Sequence, residues 1–246
     1  MQYLRIIPSL LLSQNKLVKG VNFRDHRNAG SPASTVVALE SQGADEILLI
    51  DIDSYISSKS KPNLEILKKI SKICCTPITF GGGIDNLDLA KEIIRSGAEK
   101  IYLNRKILSK IDFITDLVKN LGGQAIVIGI NLIKIGNNYK IFENNKTNIL
   151  EYINNIQKLG IGEIKITFVD REGSKSGLDL EYCEYLLKYI RVSCIFEGGI
   201  GTLDQIEQAF GIKISAIGLG TMLTFTDYNI VKIKSHLFNK GYKVRM

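Results

Sequence analysis

The sequence predicts a single (β/α)8 barrel, and three observations predict it: eight short apolar runs rich in β-branched residues, helical patterns between them, and an internal repeat at a constant spacing. The runs come in order as Arg5-Ile6-Ile7, Glu46 to Ile50, Pro77 to Phe80, Lys100 to Leu103, Ala125 to Ile130, Glu163 to Thr167, Cys194 to Phe196 and Ile214 to Ile217. Near-continuous apolar character is what strands buried on both faces show. The intervening segments place apolar residues three and four apart, as at Leu64, Leu67 and Ile70, or at Leu87, Ala90, Ile93 and Ile94 closed by Gly97. Eight such units in 246 residues fit a closed barrel better than an open doubly wound sheet.

The repeat matches residues 117 positions apart: Gly43 with Gly160, Glu46 with Glu163, Asp53 with Asp170, and Gly81-Gly82 with Gly198-Gly199. The chain therefore reads as one domain over 1–246 made of two half-barrels, 1–122 and 123–246. Each half would have two open sheet edges and need the other.

Composition narrows the function. No stretch approaches about eighteen uninterrupted apolar residues, and the first residues lack a basic region followed by a small-residue cleavage site, so a cytoplasmic protein away from membranes is expected. Cys74, Cys75, Cys183 and Cys194 lack paired metal spacing and read as reduced core or near-core residues. With only two histidines and scattered carboxylates at Asp51, Asp53, Asp170, Glu172 and Glu197, neither metal nor cofactor is expected. The net charge of +7 is spread along helices rather than interleaved with aromatics, which argues against nucleic acid and for a solvated surface that steers anionic substrates or an acidic partner.

Barrels carry chemistry in the loops after their strands. Gly81-Gly82-Gly83 follows the third run and Gly198-Gly199-Ile200-Gly201 the seventh, each just before a helix that Asp85 or Thr202 would cap. Each cluster is either a tight strand-to-helix turn or a place where bare backbone N–H groups meet a phosphate. As a pair, they suggest anchors for the two ends of a bisphosphorylated ligand: Gly82, Gly83, Asn104 and Arg105 on one side, and Gly173, Gly198, Gly199, Gly220 and Thr221 on the other. Asp51 and Asp53, after the second strand, either meet substrate hydroxyls or bond their own loop. At the opposite face Arg5, Glu46, Lys100 and Glu163 stand at strand starts, forming either a salt-bridged plug or a gate.

Several segments resemble the cyclase subunit of imidazole glycerol phosphate synthase, the HisF type, over essentially the whole length. They are Arg5-Ile6-Ile7, Leu17-Val18-Lys19-Gly20 with Asn22-Phe23, Gly43-Ala44-Asp45-Glu46, Gly81-Gly82-Gly83-Ile84, Gly97-Ala98-Glu99-Lys100, Asp170-Arg171-Glu172-Gly173 with Lys175-Ser176-Gly177, and Gly198-Gly199. The resemblance implies a barrel that docks a HisH-like glutaminase on its N-terminal face and passes ammonia through its bore to a substrate at the other rim. It gives Arg5, Glu46, Lys100 and Glu163 the role of ammonia gate, and puts Lys19 on a mobile first loop that closes over substrate.

The departures are as specific. The two aspartates with which the family closes and cleaves its ring align with Leu11 and Asn131. An aliphatic chain carries no proton and an amide has no useful pKa, a loss of about 10² to 10⁴ in rate per proton-transfer group. Glu197 stands where the family has a small hydroxyl residue and reads as a relocated acid or base, a contact for a sugar hydroxyl or ammonium, or a surface carboxylate. Lys19, Asn131 and Glu197 are thus the catalytic candidates. The resemblance extends to divergent members that supply ammonia to a separate sugar amidotransferase making acetamidino groups on surface or flagellar glycans. Competing expectations are a cyclase with displaced catalytic residues, and a non-catalytic barrel that activates the glutaminase.

Overall fold

The computed structural model describes residues 3–53, 61–104 and 110–246. Its strands are β1 (Arg5–Ser13), β2 (Lys16–Val21), β3 (Arg24–Gly30), β4 (Ile47–Asp51), β5 (Ile78–Gly81), β6 (Lys100–Leu103), β7 (Ile126–Ile135), β8 (Asn138–Ile141), β9 (Glu163–Phe168), β10 (Ser193–Glu197) and β11 (Ala216–Leu219). Eight of them, β1-β4-β5-β6-β7-β9-β10-β11, pair in parallel. Pairing of Arg5 through Pro8 with Ala216 through Leu219 closes the ring. The described helices are α1 (Pro32–Ser41), α2 (Leu64–Ser71), α3 (Leu87–Arg95), α4 (Ile111–Leu121), α5 (Ile149–Lys158), α6 (Leu180–Leu187), α7 (Leu203–Gly211), α8 (Thr221–Thr224) and α9 (Ile230–Asn239). This is the expected (β/α)8 architecture.

Strand parity divides the core. On β1, Ile6 faces the helices and Ile7 the bore, and the same alternation elsewhere builds two separate clusters. The outer one packs Ile6, Leu49, Phe80, Ile101, Ile128, Ile166 and Phe196 against the helices. The inner one stacks Ile7, Leu48, Tyr102, Val127, Ile195 and Ala216 across the bore. Helix α3 shows how a covering helix is fixed. Asn86 accepts from the Leu89 N–H at 2.9 Å, Ala90 and Ile93 are fully buried, and Gly97 ends the helix at φ +106°. A Cβ on Gly97 would lie 2.4 Å from Ser71 Oγ. Truncating Ile93 to alanine would cost about 2–5 kcal/mol by opening a cavity under this helix.

Three local expectations need adjustment. The cap of α3 is Asn86 rather than Asp85, which instead accepts from the Asn86 side-chain amide at 2.9 Å. Thr202 does cap α7, in a reciprocal capping box with Gln205. The fifth barrel strand runs on to Ile135 because Leu132 through Ile135 pair with β8 across a turn at Gly136, φ +60°. Similarly, the segment read as a first loop is a hairpin: β2 pairs back on β1 at Leu11–Val18 and Leu12–Leu17, and β3 pairs on β2. All four cysteines are free thiols; Cys74, Cys183 and Cys194 are buried while Cys75 is exposed.

Candidate functional site

The N-terminal end of the bore is closed by a ring of alternating charge. Arg5, Lys100 and Glu163 open β1, β6 and β9, and Glu46 immediately precedes β4, so parity points all four side chains inward. Arg5 donates to Glu46 at 3.3 Å and also to Glu163, while Lys100 donates to Glu46 at 2.7 Å and Glu163 at 2.9 Å. Thr79 Oγ1 donates to Glu46 at 2.5 Å, and Ser193 Oγ donates to Glu163 at 2.9 Å. Burial pushes the Glu163 carboxyl up, yet the charges and hydrogen bonds of Arg5 and Lys100 outweigh it and hold the group below its ordinary value.

Above the ring, Tyr102 crosses the bore. Glycines on both flanking strands make room: a Cβ on Gly129 would lie 2.1 Å from the Tyr102 hydroxyl, and one on Gly81 would lie 2.7 Å from Cδ1. Asn104 donates to the hydroxyl at 2.9 Å, and Lys165 Nζ lies 5.6 Å from the ring centroid. Lys165 is 2% exposed. Its ammonium donates to Thr167 Oγ1 at 2.6 Å and pairs with Glu197 Oε2 at 2.5 Å.

At the C-terminal rim the charges again alternate. Lys19, on β2, turns down into the mouth to meet Glu172 and lies 3.9 Å from Glu197 Oε1. Glu197 thus sits between two lysines. Burial pushes its carboxyl up, but Lys165 and then Lys19 pull it below the ordinary range; burial lowers Lys165 in turn, and Glu197 raises it above the ordinary amine value. The register explains how a carboxylate reaches this place. Ile50 pairs with Gly81 on one side of the barrel and Thr167 with Glu197 on the other, so Glu197 takes the strand-end position that Gly81 holds in the first half. The partners are exchanged: Gly81 lies beside Tyr102, and Glu197 beside Gly218, where a Cβ would be 2.9 Å from Glu197 Oε2.

Gly82 and Gly83 adopt φ +126° and +61°, and a Cβ on Gly82 would lie 2.2 Å from the Asp51 carbonyl oxygen. Gly198 and Gly199 adopt φ +119° and +93° against Phe168 and Gly177. The turns themselves therefore require glycine. Gly173, Gly198, Gly199, Gly220 and Thr221 come together around one small cavity with Glu172 and Glu197. Arg105 lies outside the described residues. Asp51 and Asp53 bond their own surroundings: Asp51 accepts from the N–H groups of Asp53 and Asn63 at 3.0 and 2.8 Å, and Asp53 from Ser13 Oγ and the Gln14 N–H, both at 2.6 Å. Leu11 is partly buried between Val18 and Ile50, and the Asn131 amide donates to Glu143.

Sequence reasoning missed Lys165, Tyr102 and Glu143. Lys165 had a visible signal, a lysine sharing the inward parity of Glu163 inside an otherwise apolar run. Glu143 had none, because it reaches Asn131 only through the β7–β8 hairpin. The surface group Asp204, Glu207 and His236, with donor atoms within 4.8 Å of one another, is likewise a product of folding; Glu207 there pairs with His236 at 3.1 Å and Lys240 at 3.4 Å.

A closed barrel with an ionic ring at one end of its bore and a charged, glycine-lined mouth at the other belongs to the class of (β/α)8 proteins whose site is at the C-terminal rim. Residues 5–229 match the family described as histidine biosynthesis protein. The chain is 33% identical to imidazole glycerol phosphate synthase subunit HisF of Sulfolobus acidocaldarius over 249 residues, 98% of each chain. It is 32% identical to the HisF subunit of Exiguobacterium sibiricum over 246 residues, again 98% of each. The chain belongs to this family and is of the HisF type. Among the described residues, no helix is long and apolar enough to cross a membrane.

Proposed function

We propose that this chain is the ammonia-receiving synthase subunit of a glutamine amidotransferase. A HisH-like glutaminase docks on the N-terminal face, ammonia passes the ring of Arg5, Glu46, Lys100 and Glu163, and a phosphorylated or nucleotide-linked sugar lies at the rim. The product feeds acetamidino-type glycan synthesis, with a separate sugar amidotransferase as a further partner. The observation that carries this reading is the contrast between the two ends. The ring is complete, while the positions of the family's ring-closing aspartates hold Leu11 and Asn131. Substrate phosphate is assigned to Gly82, Gly83, Asn104 and Arg105, and the other end of the substrate to the wall of Gly173, Gly198, Gly199, Gly220 and Thr221, with Lys19, Asn131 and Glu197 around the reacting atoms.

The test is reconstitution with a HisH-like glutaminase. Glutamine hydrolysis should rise when the barrel is added, and little turnover of the bisphosphorylated histidine-pathway intermediate with ammonium salts should appear. Brisk turnover of that intermediate would overturn the reading. One observation favours the second reading, a cyclase with displaced groups: Glu143 brings a carboxylate to the end of the fifth barrel strand, against Asn131. In that case Glu143→Gln would abolish the turnover.

A further inference from the structure

Strand pairing leaves a gap in the wall of the barrel beside β1. One edge of β1 is taken by β4, from Ser9 through Leu12. On the other edge the parallel pairing with β11 ends at Pro8 with Leu219, and the antiparallel pairing with β2 begins only at Leu11 with Val18. Among the described residues, Ser9 and Leu10 therefore have no strand neighbour on that edge, and the chain after β11 turns into the short helix α8 instead of extending beside them. The gap is a cavity of about 170 Å³, walled chiefly by Leu10, Leu11, Leu17, Val18, Leu39 and Leu223.

The polar groups of the lining are engaged elsewhere. The Ser9 hydroxyl bonds Glu197, and Thr224 Oγ1 donates to the Gly220 carbonyl at 3.1 Å. Lys19, the charged residue of the lining, carries its ammonium across to Glu172 and leaves its methylenes in the wall. A buried water needs about two to four polar partners, whereas an apolar cavity of about 150 Å³ stays dry and binds benzene. Ser9 and Lys19 face the mouth as well, so the cavity adjoins it, and Leu11 stands in its wall at the position where the family carries a ring-closing aspartate.

We propose that this cavity is the subsite for a short alkyl or aryl substituent, of about six heavy atoms, on the molecule that lies at the mouth. Leu11 is then a specificity-determining residue: the side chain that removes a proton carrier from the rim supplies an apolar wall. Removal of the substituent from water drives the fit, while a charged or hydroxyl-rich group would lose its hydration and find few partners in exchange. The inference rests on the reading that a phosphorylated sugar lies at the rim, and it names the kind of sugar, one that bears an acyl or similar apolar group.

The experiment titrates the barrel with glucosamine 1-phosphates carrying N-acetyl, N-butanoyl and N-hexanoyl chains, by calorimetry, and with benzene alone, by methyl NMR. In the wild type, affinity should rise about fourfold per added methylene until the cavity is full, which corresponds to about 0.8 kcal/mol. Ala29 lines the cavity, so Ala29→Phe puts a ring of its own there and should flatten the series; Leu11→Asp should weaken the hexanoyl member by about tenfold. A flat series in the wild type, or one that still rises in Ala29→Phe, would overturn the proposal. If no member of the series binds, the phosphorylated-sugar reading fails, and benzene decides the cavity: saturable binding that is lost in Ala29→Phe upholds the apolar subsite, and absence of saturable binding overturns it. The wild-type arms need no substitution, so a variant that fails to fold leaves the test intact. Stimulation of the glutaminase is read separately and bears only on the ammonia-receiving role.

Discussion

The two ends of the bore carry the same charges in different mechanical settings. Each has two cations and two carboxylates in alternation, Arg5, Glu46, Lys100 and Glu163 below and Lys19, Glu172, Lys165 and Glu197 above. The lower four stand at or beside strand starts, so the sheet itself holds the ring shut. Above, Lys19 comes from a hairpin and Glu172 from a turn, and only Lys165 and Glu197 stand on barrel strands. The ends also differ in dryness: Arg5 and Lys100 retain 19% and 22% side-chain exposure, whereas Lys19 and Lys165 retain 4% and 3%. A charge stripped of water and then of its partner is the more destabilising defect.

The largest effect should therefore come from Lys165→Met, which strands Glu197 inside the barrel. A loss of about 3–5 kcal/mol is expected from chemical denaturation, with most of it recovered in Lys165→Met/Glu197→Leu. Lys100→Met should lose less, about 1.5–3 kcal/mol, because Arg5 still bonds both carboxylates of the ring and water reaches the gap. Equal losses at the two sites would break the distinction drawn between them.

Acid should separate the wild type from the same variant. The folded pKa values of Glu163 and Glu197 lie below the ordinary 4.5, so the folded state releases their protons more readily than the unfolded chain. Their contribution is present above 4.5 and is lost as pH falls through the folded values. In Lys165→Met, burial outweighs the remaining pull of Lys19 on Glu197 and raises that carboxyl, so acidification favours the folded form. The stability gap between the two proteins should then begin to narrow above 4.5, as the variant's carboxyl takes its proton, and go on narrowing below 4.5 as the wild type loses its own contribution. Alkali provides the converse case: burial raises Tyr182 from 10.0 to about 12, so its contribution holds below 10 and is lost as pH climbs toward 12, read by tyrosinate absorbance.

The lower end was more legible in the sequence than the upper, where Lys19, Glu172 and Glu197 were placed at the rim but not paired with one another, for a physical reason. Strand starts follow from apolar runs, and a charge at the first residue of such a run can point only along the bore or away from it. Arg5, Lys100 and Glu163 could therefore be placed before any coordinates. Lys165 lies mid-run, where its inward parity with Glu163 is visible but its partner Glu197, on the next strand, is not. Lys19 and Glu172 stand 153 positions apart and meet through a hairpin whose second strand, Arg24 to Gly30, is almost wholly exposed and carries no alternation to announce it. Even the repeat, read at 117, set Gly81 beside Gly198; hydrogen-bond register sets it against Glu197 instead, since only pairing fixes which residue ends a strand.

The smallest expected effect tests the remaining asymmetry of the mouth, Asn131 against Glu143. Replacing Asn131 with aspartate removes the amide that donates to Glu143 and sets two carboxylates face to face. If Glu143 is ionised, Asn131→Asp should lose about 1 kcal/mol at neutral pH, and the loss should shrink on acidification as one of the pair takes a proton. If Glu143 already carries a proton in the native state, that proton can bridge the new pair, and Asn131→Asp should be neutral or stabilising. The second outcome would place a ready acid at the end of the fifth barrel strand, against Asn131. The first would leave Asn131 as the donor that fixes Glu143, and keep the chemistry of the mouth on the Glu197 side.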